Sequence, residues 1–118
     1  MRAAGAIFEQ RACAELQRAG LTLLARNYST RYGELDLVMM DRETVVFVEV
    51  RHRLNSSRGD AAASVNAGKQ AKLIKTAELW LAANAQHAKR ACRFDVVCYD
   101  GPAQTARMSW WRNAFEAG

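Results

Sequence analysis

The sequence predicts a mixed α/β (α+β) fold, a central mixed sheet flanked by helices in the order α-β-β-β-α-β-β. Three patterns carry that prediction. Residues 3–19 and 64–83 repeat apolar side chains at helical spacing. Two β-rich segments, Glu34–Met40 and Thr44–Arg51, flank the charged triplet Asp41-Arg42-Glu43 and read as a hairpin. Two later segments, 92–99 and 105–111, read as strands around the turn Asp100-Gly101-Pro102.

Each element has a local reason. Ala4, Phe8, Ala12, Leu16 and Ala19 share a helical stripe, and Gly20 is a natural stop for the first helix. Leu21–Asn27 reads as a short apolar strand, and Tyr28–Tyr32 as a polar turn. Val46–Val50 is an apolar run interrupted only by Glu49, the pattern of a central strand covered on both faces. Arg53–Ala63 carries Asn55, Ser56, Ser57, Gly59 and Asp60, which predicts a mobile loop. Ser64 is the expected cap of the second helix, with Ala67, Ala71, Leu73, Ile74, Ala77, Trp80 and Leu81 on its buried face.

The 118 residues suffice for one core, so a single domain is expected. Apolar runs are too short to span a bilayer, and no membrane partner is expected. Met1–Ala6 could begin a signal peptide, but Glu9, Gln10 and Arg11 interrupt it before an apolar region develops. Cys13, Cys92 and Cys98 are odd in number and lack metal-ligand spacing, which fits buried thiols in a reducing cytoplasm. The net charge of +5, with arginines outnumbering lysines thirteen to four, suggests a polyanionic partner such as nucleic acid, although base composition alone can enrich arginine.

Strand parity points to a site. In Gly33–Val38, Glu34 and Asp36 share one face, and Leu35 and Leu37 the other. In Val46–Arg51, Glu49 and Arg51 share a face with Phe47. The hairpin sets these strands side by side, so Asp36 and Glu49 converge. Two close carboxylates repel unless a proton or a cation lies between them, and hard oxygen ligands of this kind suit Mg²⁺. The competing reading is an amphipathic hairpin with Glu49 and Arg51 as a surface pair. Glu9 shares a stripe with Gly5, Ala12 and Leu16 and so faces inward, either as a structural carboxylate or as support for the metal.

These residues together resemble the YraN-like family of small bacterial proteins. The resemblance rests on Gly5-x3-Glu9-x2-Ala12, Asn27-Tyr28, Gly33-Glu34-Leu35-Asp36-Leu37 and Val46-Phe47-Val48-Glu49-Val50-Arg51-x-Arg53. It continues through Ser64-Val65, Lys69, Lys72, Ala77, Leu81, Arg93-Phe94-Asp95-Val96-Val97 and Asn113-Ala114-Phe115. That family is grouped with the restriction-endonuclease-like PD-(D/E)XK fold and is similar to archaeal Holliday-junction resolvases. The resemblance implies Mg²⁺ (or Mn²⁺) on Asp36 and Glu49, support from Glu9, and a catalytic lysine at position 51. Arg51 stands there instead, and arginine stays protonated, so it cannot act as a general base.

Three readings follow. Arg51 serves electrostatically, or Lys69 or Lys72 from the second helix reaches the site, or the site binds nucleic acid without cutting it. Arg51, Arg53, Arg58, Lys69 and Lys72 are the expected basic rim for a phosphate backbone, against the plain alternative of solvated charges. Trp110 and Trp111 are expected to divide between core and surface, Asp95 to be a structural partner for an arginine or backbone group, and His52 and His87 to have no role. By analogy with the resolvases, a homodimer is expected.

Overall fold

In a computed structural model of the chain, the structure describes residues 3–54 and 65–117. Helix α1 spans Ala3–Arg18 and is followed by strands β1 (Thr22–Thr30), β2 (Gly33–Asp41) and β3 (Thr44–Arg53). Helix α2 (Ala67–Ala83) leads through a short 3-10 turn to β4 (Cys92–Asp100) and β5 (Arg107–Phe115). The predicted order α-β-β-β-α-β-β holds.

Backbone chemistry closes α1. Gly20 sits at φ 105°, its N–H donates to the Gln17 carbonyl, and the Leu21 N–H donates back to Leu16. Leu16 and Leu21 are both buried, which adds the apolar contact that accompanies this helix ending. The two-residue turn Arg42–Glu43 closes on the pair Asp41↔Thr44, with Arg42 at φ 57° as tight hairpins require. Asp41 is therefore paired strand and not part of the turn, as the charged triplet had suggested.

The five strands lie in the order β1-β2-β3-β4-β5, antiparallel throughout except for the parallel β3–β4 pair. That places β3 at the centre, as its apolar run predicts, and Val45–Val48 are buried. One face, through Leu37, Met39, Val46, Val48, Val97 and Tyr99, packs on Phe8, Ala12, Cys13 and Leu16 of α1. The other, through Leu35, Val38, Val45, Phe47, Phe94 and Val96, packs on Leu73, Ala77 and Trp80 of α2.

Several local expectations change. β1 runs on through Tyr28–Thr30 because Tyr28↔Leu35, Ser29↔Glu34 and Thr30↔Gly33 pair in the ladder despite their polar side chains. β5 runs to Phe115 because Asp95 carries it past an irregularity at Asn113, where φ is 51°. Ser64 and most of the expected loop lie outside the described residues; the observed cap of α2 is Asn66, whose side chain accepts the Lys69 N–H at 2.9 Å. Ala67 and Ala71 are exposed and Thr76 is buried in their stead, so the buried face of α2 runs through Leu73, Thr76, Ala77 and Trp80. Cys13 and Cys98 are buried, but Cys92, the first residue of β4, is exposed.

Candidate functional site

The pairing of β2 with β3 runs from Asp41↔Thr44 to Leu37↔Val48 and stops there. The next pair in that register would set Asp36 opposite Glu49. Instead the strands part. Leu37 packs toward α1, while Leu35 packs toward α2. In an unbroken strand both leucines would share a face, as parity predicts, so β2 turns about Asp36. The Asp36 side chain fills the gap that this turn leaves, its Oδ2 accepting the Val50 N–H at 2.8 Å. A side-chain oxygen thus replaces the missing ladder carbonyl, which keeps a buried donor satisfied.

Asp36 and Glu49 are both buried, and they are joined by a side-chain hydrogen bond. Burial, the charge of Glu49 and the charge of Glu9 drive the Asp36 carboxyl up from 3.8 to about 8, against the opposing pull of the Val50 N–H. Asp36 therefore keeps a proton at neutral pH. Glu9 itself is buried on α1, and its Oε2 lies 3.9 Å from where a side chain at Gly5 would begin.

Cations border the pair. Arg51 Nη1 lies 3.5 Å from Glu49 Oε2, and Lys69 Nζ of α2 lies 3.4 Å from the same oxygen. The Arg51 Nε is buried and has no hydrogen-bond partner among the described residues. Of the lysines expected at the site, Lys69 therefore reaches it directly. Lys72, one turn further on, is exposed beside the β1–β2 turn. Arg53 is held in a bidentate pair with Asp100 at 2.7 and 3.1 Å, so its charge is largely balanced by its cross-strand neighbour. Arg58 lies outside the described residues. Among the described residues, no three His, Cys, Asp or Glu side chains group as a metal-ligand set. Glu9 acts on Asp36 through charge, and the carboxylate pair remains the candidate ligand set.

The other candidates resolve as structure. Asp95 is fully buried and accepts from Arg93, from Trp110 Nε1 at 2.9 Å and from the Asn113 N–H at 2.9 Å. Trp110 packs against the α1-side core, while Trp111 is exposed. His52 stacks on Phe8, and His87 stacks on Trp80. Sequence parity brought Asp36 to Glu49. It carried no signal for the turn at Asp36, and it left Lys69 and Lys72 as alternatives, because the choice between them depends on how α2 crosses the sheet.

These features define a class: a small mixed-sheet domain with a buried, hydrogen-bonded carboxylate pair where strands β2 and β3 part. The chain belongs to the uncharacterised protein family UPF0102, whose sequence profile matches residues 8–99 and so spans Glu9, Asp36, Glu49, Arg51 and Lys69. It is 51% identical over 116 residues to a UPF0102 protein of Stutzerimonas stutzeri strain A1501, covering 98% of this chain and 97% of the relative. It is 50% identical over 111 residues to one of Pseudomonas aeruginosa strain LESB58, covering 92% and 89%. A UPF0102 protein of Pectobacterium carotovorum strain PC1 is 51% identical over 115 residues, covering 97% and 94%. The family-level expectation drawn from the motifs is borne out. No helix among the described residues is long and apolar enough to cross a membrane.

Proposed function

We propose that this protein is a Mg²⁺- or Mn²⁺-dependent nuclease of the PD-(D/E)XK type, acting on DNA phosphodiesters, with branched or damaged DNA as its natural targets. The observation that supports this most is the buried carboxylate pair Asp36–Glu49. A carboxyl held at about 8 by burial and then by a neighbouring carboxylate occupies a site where a divalent cation can replace the proton. The donor set is two hard oxygen ligands, which suits Mg²⁺ with water and substrate phosphate completing its sphere. Held by Asp36 and Glu49, the ion would polarise the phosphodiester and lower the pKa of a bound water.

The chain's own residues supply the rest. Arg51, a permanent cation with a forked donor array, meets the charge that develops on the phosphate. Lys69 brings a lysine ammonium to Glu49 from α2, where the resemblance places it on β3. Glu9 is a positioning residue whose charge bears on Asp36.

A second reading has its own support. Arg51 and Lys69 already stand within 3.5 Å of Glu49, so the pair is charge-balanced by protein cations. On that reading the protein is a nucleic-acid-binding module that keeps the nuclease fold without turnover.

Incubation with labelled linear, single-stranded and four-way-junction DNA in Mg²⁺ or Mn²⁺ separates the two. Cleavage lost in both Asp36→Ala and Glu49→Ala supports the enzyme. Cleavage that persists in both variants belongs to a contaminant and removes the enzymatic reading, and binding without cleavage favours the module. Lys69→Ala is the companion variant: the enzyme should lose at least about tenfold in rate, consistent with loss of an electrostatic group.

A further inference from the structure

A line of cations leads away from the carboxylate pair and ends on an exposed ring. Lys69, Lys72 and Lys75 follow one another at three-residue spacing along α2, so the outer two are separated by about 9 Å of helix rise. Lys69 pairs with Glu49. Lys72 Cβ lies 3.7 Å from where a side chain at Gly33 would begin, which seats the β1–β2 turn directly on the helix. Lys75 Nζ lies 5.5 Å from the centroid of the Tyr32 ring at the tip of that turn. The Arg31 guanidinium lies 5.1 Å from the same centroid, and its Nη2 donates to the Tyr32 hydroxyl at 3.0 Å. The turn is pinned, since Thr30 Oγ1 accepts the Tyr32 N–H and donates to the Gly33 carbonyl.

Tyr32 is 37% exposed although two cations could cover it. It lies four positions before Asp36, about 13 Å at the rise of a β-strand. A lone exposed aromatic is ordinary. This one terminates a basic track whose other end is the candidate ligand pair. An exposed ring flanked by cations offers two things to a nucleic-acid strand, a stacking surface for a base and charge for its backbone. The bases of a duplex are already stacked and paired, so an exposed ring stacks at lower cost on an unpaired base.

We infer that Tyr32 is a substrate-binding residue that stacks on an unpaired nucleobase, and that the strand entering along Lys69, Lys72 and Lys75 is single-stranded. This rests on the nucleic-acid reading of the site and adds to it a preference for unpaired over duplex substrate.

The test is fluorescence anisotropy with a labelled single-stranded oligonucleotide and its duplex, without divalent ions so that nothing is cut. Wild-type protein should bind the single strand more tightly. Tyr32→Ala should weaken single-strand binding by about tenfold and leave duplex binding nearly unchanged, whereas Tyr32→Phe, which keeps the ring, should bind like wild type. Circular dichroism melting confirms that each variant folds. An unchanged single-strand preference in Tyr32→Ala overturns the inference and leaves the nuclease reading standing. Equal losses in Tyr32→Ala and Tyr32→Phe also overturn it, because the hydroxyl contact to Arg31 would then be what matters. If wild type binds neither DNA at low salt, the nucleic-acid reading itself falls, and this inference with it.

Discussion

At the scale of single residues, Asp36 sets how this protein responds to pH. Its carboxyl titrates near 3.8 when exposed and near 8 when folded. Across that window the folded chain holds a proton that the unfolded chain has released. The stabilisation is whole below 3.8, falls as pH rises, and is gone above about 8. Urea unfolding of the metal-free protein should therefore give lower stability at about pH 8 than at about pH 5. Asp36→Asn, which cannot ionise, should flatten that slope. Added Mg²⁺ should raise the melting temperature most at the alkaline end, where the carboxylates are free to bind it. A thermal shift that is equal in wild type and Asp36→Asn would place the ion elsewhere.

At the scale of elements, buried Asp95 joins β4 to β5. Arg93, the Trp110 indole and the Asn113 N–H all converge on it. Asp95→Ala would remove the acceptor of the Trp110 indole and of the Asn113 N–H, while Arg93 keeps its bond to Asp41, and should cost about 1–3 kcal/mol in denaturant unfolding. Gly20→Ala should cost about 1 kcal/mol, because a side chain is strained at φ 105° although nothing crowds the position. Much at this scale was legible in the sequence. Helical spacing gave α1 and α2, and the apolar run around Glu49 gave a central strand. What escaped was set by partners distant in the chain. The polar residues Ser29 and Thr30 look like a turn until β2 pairs with them. Leu35 and Leu37 look like one face until Asp36 takes the Val50 N–H and turns the strand. The Asp36–Glu49 meeting was legible because it depends only on a short turn, whereas the contact of Lys69 with Glu49 depends on a helix docking across the sheet.

At the scale of the whole molecule, the charge of +5 has a direction, with α2 carrying its lysines along the edge of the site. Binding to DNA should weaken with salt, and Lys72→Ala should lower the salt slope by about one while weakening all sequences alike. Titrations at several salt concentrations measure both. The sheet itself has one non-local seam, the parallel β3–β4 pair. The β1–β2 and β2–β3 pairs close across two-residue turns, but Val45↔Cys92 to Arg53↔Asp100 can form only after residues 54–91 have been looped back. Pairings of such high sequence separation are slow to form. During refolding, amides bonded across the β3–β4 seam should gain protection from hydrogen exchange after those within the β1–β2–β3 meander and the β4–β5 hairpin. Asp36 and Glu49 lie on the early meander and Lys69 on the later crossover. The folding chain thus brings its two acids together before the helix delivers the cation that offsets them, and a divalent ion present during refolding should speed that early step.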